Sequence, residues 1–168
     1  MDFLEKSLED IIFEANSDDL FKRGLPVRGK KFRQLKIGSY GVADLITARM
    51  QPTPFYPKKF IDITIFELKK DLIDIGAFMQ SIRYAKGIMS YLEKRTDLPV
   101  HIDIKLVGKR MDLNTSLIYL TDLITHDDCH SPINGVKSIN FYTYQYKFDG
   151  IFFNEHYAYS ITNEGFNL

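Results

Sequence analysis

The order of periodicities along the chain predicts a mixed α/β fold. Apolar residues recur at helical spacing in two stretches, residues 4–15 and 78–92. Between and after them they alternate, or run through β-branched segments, which is the pattern of strands. With 168 residues and 19.6 kDa the chain suits one domain with a sizeable core.

Leu4, Leu8, Ile11, Ile12 and Ala15 predict an amphipathic helix from residue 2 to about 16, closed by Asn16-Ser17-Asp18-Asp19. The stretch with Gly24, Pro26 and Gly29 reads as loop. Phe32 to Ile37 forms a candidate first strand, broken at Gly38-Ser39, and Val42 to Thr47 a second. Pro52, Pro54 and Pro57 mark an irregular connection outside any central sheet. Phe60 to Lys69, rich in β-branched residues, reads as a long third strand. From Asp74 to Arg95 the period turns helical, with Phe78, Ile82, Ala85, Met89 and Leu92 as the buried stripe. Val100, Ile102, Ile104 and Leu106 then alternate with His101, Asp103 and Lys105, a half-buried strand. Leu113 to Ile124 fits either helix or strand. Ile139 to Phe148 and Ile151 to Ile161 read as two strands joined at Asp149-Gly150. No internal repeat or linker divides the chain. One domain is expected, with a core over about residues 2–108 and a carboxy-terminal hairpin extension over about 109–168.

Charge is balanced in total, with 22 basic and 22 acidic side chains, which argues against a strongly cationic nucleic-acid coat. Its distribution is uneven. Residues 1–20 carry seven acids and one base, whereas residues 21–40 carry seven bases and no acid. Arg28, Lys30, Lys31 and Arg33 in the second stretch are candidate phosphate contacts, and a solvated loop is the plainer account. One cysteine, Cys129, excludes an internal disulfide. The acidic start lacks the pattern of a signal peptide, and no apolar run approaches the roughly 20 residues that span a bilayer. A cytoplasmic location without membrane contact is expected.

Alternation places charge on apolar faces. Ile61, Ile63, Ile65, Glu67 and Lys69 share one side of the third strand, so a buried face ends in a carboxylate and an amine. Val42, Asp44 and Ile46 likewise share a side of the second. Charges on packed faces call for partners, because desolvation costs several kcal/mol per ion, roughly. Two adjacent strands presenting acids suit a hard divalent metal such as Mg²⁺, and a nearby lysine suits activation of water; a buried ion pair is the alternative. Gln80 and Tyr84, at i and i+4, share a face of the long helix, and Glu9 lies at the margin of the first helix's apolar face, with Glu5 as competitor.

This ordered set resembles the PD-(D/E)XK nuclease superfamily: Leu8-Glu9 on a helix, then Gly41-Val42-Ala43-Asp44-Leu45-Ile46, Phe66-Glu67-Leu68-Lys69 and Gln80-Ser81-Ile82-Arg83-Tyr84. The Gln-x-x-x-Tyr helix is similar to that of RecB-type and NucS-type nucleases, and Arg33-Gln34 fits the latter. The resemblance spans about residues 4–95, and the strand at 100–106 fits the last core strand. Ala43 stands where the family's name has proline. The resemblance implies an αβββαβ core of the restriction-endonuclease type and hydrolysis of phosphodiester bonds in DNA, with Mg²⁺ or Mn²⁺ as cofactor. It implies Asp44 and Glu67 as metal ligands, Lys69 as catalytic lysine, Glu9 as accessory acid, and Gln80 and Tyr84 completing the site. The same chemistry on RNA, and an inactive nuclease-fold module for binding or assembly, stay open, as does a homodimer or larger nucleic-acid-processing assembly.

Three further features carry less. His126-Asp127-Asp128-Cys129-His130 matches no zinc spacing. Tyr142, Tyr144, Tyr146 and Phe148 form an aromatic row that suits sheet packing, an interface or base stacking. Pro52 to Lys59 is either a substrate-contacting loop or a long hairpin connection.

Overall fold

The computed structural model describes residues 5–52, 59–111, 117 and 134–156. Helix α1 (Glu5–Glu14) is followed by α2 (Ser17–Lys22), β1 (Lys30–Lys36), a 3-10 turn (Gly38–Tyr40), β2 (Val42–Pro52) and β3 (Lys59–Leu68). Next come β4 (Leu72–Ile73), α3 (Ile75–Leu92), β5 (Val100–Gly108), β6 (Arg110–Met111), β7 (Gly135–Lys147) and β8 (Gly150–His156). The expected order of helix, three strands, helix, strand is present, with α2 and the short β4–β6 pair added.

Six strands form one mixed sheet in the order β1-β2-β3-β5-β7-β8. β1, β2 and β3 are antiparallel neighbours, β3, β5 and β7 run parallel, and β8 returns antiparallel to β7. The sheet is hydrophobic on both faces. On one side α3 packs Phe78, Ala85 and Ile88 over Ile46, Ile63, Ile65, Ile102 and Ile104. On the other, Leu8 and Ile12 of α1 and Leu20 of α2 cover Leu45, Phe66, Leu68, Val107 and Tyr142.

Several elements differ from expectation. Asn16 does not merely close α1: its side chain accepts a hydrogen bond from the Asp18 N–H at 2.8 Å and caps α2, whose first turn holds Asp18 and Asp19. Asparagine and early acids serve a helix start as well as a stop, by satisfying free N–H groups and the helix dipole. Strand β2 continues to Pro52, which is tolerated because it stands at the strand's last position. The hairpin turns at Phe148-Asp149, with Lys147 paired to Gly150. That hairpin is no appendage, since β7 lies in the main sheet against β5. The aromatic row is split: Tyr142 and Tyr144 are buried under α1 and α2, while Tyr146 and Phe148 are exposed. Of residues 113–124 only Leu117 is described, and it is buried beside α3's core. The segment 126–130, most of 52–59 and residues 157–161 lie outside the described residues. Among the described residues no helix is long and apolar enough to cross a membrane.

Candidate functional site

The site forms where β2 and β3 part. Their antiparallel register ends at Leu45↔Phe66, and one step further sets Asp44 opposite Glu67. Strand β3 stays paired with β5 through Leu68↔Val107, so only β2 has turned away. The Lys69 N–H points to β5 and donates to the Val107 carbonyl at 2.8 Å, which aims the Leu68 N–H at the departed strand. The Asp44 carboxylate takes that donor, its Oδ2 accepting from Leu68 N at 3.0 Å. A side chain thus replaces a ladder carbonyl and holds Asp44 against β3.

Glu67 continues the Ile63/Ile65 face, as the alternation predicts, and is 1% exposed. Lys69 turns back on it, donating from Nζ to Oε1 at 2.7 Å. The end of β3 is fastened beyond this pair. The Asp71 carbonyl accepts from the Lys109 and Arg110 N–H groups, and its carboxylate from the Arg110 guanidinium.

Helix α3 starts at Asp74, whose Oδ1 accepts from Ala77 N at 2.9 Å, and carries Gln80 and Tyr84 to the same end of the sheet. Tyr84 stands outside the stripe predicted from Phe78, Ile82, Ala85, Met89 and Leu92, yet it is as buried as Phe78 and Ala85, because Gly41 makes room for it, while Ile82, Met89 and Leu92 are only partly buried. Gly41 has φ +122°, and a Cβ there would stand 2.9 Å from the Tyr84 ring. The Tyr84 hydroxyl donates to the Val42 carbonyl at 2.7 Å and accepts from Gln80 Nε2 at 2.5 Å. The Gln80/Tyr84 pair therefore grips the backbone two residues before Asp44.

Glu9 approaches from α1. It is 5% exposed, and its partners among the described residues are Arg33, Nε to Oε1 at 3.0 Å, and Gln34, Nε2 to Oε2 at 2.5 Å. Consecutive strand residues ordinarily face opposite sides. Both reach Glu9 because Gln34 has φ +48°, the one non-glycine residue described with a positive φ. Its neighbours pair as Arg33↔Leu45 and Leu35↔Ala43, so Gln34 stands level with Asp44. Gln34, Asp44 and Glu67 thus follow one another across β1, β2 and β3. Such a residue is held against about 1–2 kcal/mol of backbone strain, and strain of this kind gathers at functional sites. No group of three His, Cys, Asp or Glu side chains converges among the described residues. Glu9 keeps company with Arg33 and Gln34, and the side chain of its competitor Glu5 lies outside the described residues.

Two of the four candidate cations, Lys31 and Arg33, are engaged by the acidic stretch and its helix. Arg33 also pairs with Asp10 at 2.8 Å. Lys31 caps the carboxy-terminal end of α1, donating to the carbonyls of Ile12, Phe13 and Ala15, and its burial lowers its pKa. Arg28 and Lys30 are exposed. Glu9 and Asp10 with Arg33, and Lys31 on the end of the helix, therefore dock α1 on β1.

A second concentration of charge escaped the sequence reading. A polar cleft of about 250 Å³ opens on the face of the sheet shared with α1, beyond the helices' reach. In it Arg49 pairs with Asp62 at 2.6 Å, Ser138 donates to Asp103 at 2.6 Å, and Asn140 donates to Glu155 at 3.0 Å. Lys105, 8% exposed, donates to the Pro26 carbonyl at 2.7 Å. Burial brings the Lys105 pKa down to about 8 and raises that of Asp103. The polar positions of β5 were legible as its less buried face, but their partners Pro26 and Ser138 come from two distant segments.

Set beside known protein families, curated proteins and solved structures, the chain finds no match.

Proposed function

We propose that this chain is a divalent-metal-dependent nuclease with a PD-(D/E)XK-type core, hydrolysing phosphodiester bonds in DNA. The observation that carries the proposal is the parting of β2 and β3, with Asp44 level with Glu67 and the Lys69 ammonium 2.7 Å from the Glu67 carboxylate. The order from α1 through β5 supports the αβββαβ core, and the Gln80–Tyr84 grip on Val42 supports the role of that pair.

The donor chemistry fits a hard cation. Two carboxylates are the usual protein share of a Mg²⁺ sphere, the remainder being water and phosphate oxygen. Asp44 and Glu67 would hold Mg²⁺ or Mn²⁺, which when bound supplies neutralisation of phosphate charge and a more acidic water. Lys69, held at the mouth of the site by Glu67, orients the attacking water and offsets negative charge building on the phosphate. Tyr84 and Gln80 fix the Val42 carbonyl and with it the approach to Asp44. Glu9, through Gln34, ties α1 to the strand position beside Asp44. Of the four candidate phosphate contacts, Arg28 and Lys30 are the two left for the nucleic-acid backbone.

The test is incubation of the purified protein with single-stranded DNA, duplex DNA and RNA, in Mg²⁺, Mn²⁺ or EDTA, alongside Glu67→Ala and Lys69→Ala. Cleavage that needs the metal and falls by about a thousandfold in both variants is the expected result. Absence of cleavage on every substrate, or equal cleavage by the variants, overturns it. Metal-independent DNA binding would then favour a binding module built on the same core.

A further inference from the structure

On its side of the sheet α3 lies chiefly over β3 and β5; it reaches Ile46 of β2 but leaves the adjoining face of β1 and the Ala48 end of β2 partly open. The resulting groove has a volume of about 730 Å³ and an apolar floor that includes Phe32, Ile46 and Ala48. Its α3 wall ends in Tyr91, 56% exposed, on which the Arg95 guanidinium stacks 3.7 Å from the ring centroid. At its other end stands Tyr40, packed on Gly87 and one residue from Gly41 and the Tyr84 ring, so the groove runs up to the candidate active site.

Its charge selects the occupant. Lys36, Lys94 and Arg95 are the charged residues lining it, all cationic and exposed, and none forms an ion pair among the described residues. A two-fold contact between copies would oppose these cations to their equivalents, which disfavours self-association. An anionic chain with flat apolar groups complements both features, because bases stack on aromatic rings while phosphates meet the cations.

We propose that this groove binds unpaired nucleotides, and that the enzyme cuts nucleic acid bearing a single-stranded segment beside the scissile phosphate. The second clause rests on the nuclease function; the first does not.

The experiment is fluorescence anisotropy in EDTA, so that cleavage plays no part, using labelled oligothymidylate, oligouridylate and a duplex of equal length. The proteins are wild type, Tyr91→Ala, Tyr91→Phe and Lys94→Glu/Arg95→Glu. Tyr91→Ala is expected to weaken single-strand binding about tenfold while Tyr91→Phe retains it, with duplex binding unchanged. The double charge reversal is expected to weaken it at least tenfold and to lower the salt dependence of what remains. An unchanged melting temperature establishes that exposed Tyr91 is not needed for folding. The two oligonucleotides separate DNA from RNA. Wild type that ignores single strands, or that binds them equally after Tyr91→Ala, overturns the proposal. So does a wild-type dimer that dissociates on charge reversal, or selective capture of an acidic apolar peptide in place of the oligonucleotides. Metal-dependent, Glu67-dependent cleavage of duplex with Tyr91 inert removes the groove and keeps the nuclease. Tyr91-dependent binding without cleavage in any metal does the reverse for those two claims.

Discussion

The sheet buries charge in two places, and they are built differently. In the cleft of Arg49, Asp62, Asp103 and Lys105 the strands stay paired on both sides of the charges, with one register shift beside Asp103, and each charge has a hydrogen-bonding partner. At Asp44 and Glu67 the charges sit just past the last β2–β3 pair, beside Gly41 at φ +122° and Gln34 at φ +48°. Strands that stay paired in the first case and a strained, parted backbone in the second teach the same lesson. Buried charge alone does not mark a site, whereas buried charge where the ladder opens leaves room for a ligand and restrains the groups around it.

The largest effect expected from this contrast is on cleavage. Asp44→Ala should abolish it as Glu67→Ala does, while Asp62→Asn in the cleft should leave the rate within about twofold, since it touches no reacting group. Equal losses in initial-rate assays would erase the distinction.

The next effect lies in the cleft and concerns stability. Below pH 8 Lys105 is protonated both folded and unfolded, and burial of the ammonium counts against the fold. Between pH 8 and 10.5 the folded protein has released a proton that the unfolded chain still holds, so the stability contributed at Lys105 rises with pH and levels off above that window. Denaturant titrations of wild type and Lys105→Met should therefore diverge by on the order of 3 kcal/mol between pH 7 and 10.5. Parallel pH profiles would assign Lys105 an ordinary pKa.

Gly41→Ala is expected to cost about 2 kcal/mol, because it forces a side chain into φ +122° and against the Tyr84 ring. A melting temperature unchanged from wild type would mean that the parted strand end adapts freely. Tyr84→Phe should cost the least stability, about 1 kcal/mol for its lost hydrogen bonds, yet lower cleavage more than tenfold through the freed Val42 segment. Cleavage that tracks only the stability loss would reduce Tyr84 to a packing residue.

Much of the architecture was readable in advance because the periodicities are strong. The Ile61–Ile65 alternation, the α3 repeat and the β5 alternation each predicted their element, and Glu67 lies on the face its period assigned. Asn16 was misread because the same side chain ends one helix and begins another. The depth of Tyr84 was missed because it depends on Gly41, forty-three residues away in the chain. The cleft was missed because Asp62, Asp103, Ser138 and Glu155 meet only through pairing across the sheet.

Local pattern thus determined which segments are helix or strand and which side chains share a face, since both follow from the 3.6- and 2-residue periods of the backbone. It also determined that Glu67 would be a carboxylate on a packed face. Only the tertiary structure decided that Lys31 and Arg33 serve α1, that β2 leaves β3 at Leu45, and that α3 leaves β1 and the Ala48 end of β2 partly open. Those outcomes depend on register and on which long-range contacts close together, and no stretch of sequence contains both partners of such a contact.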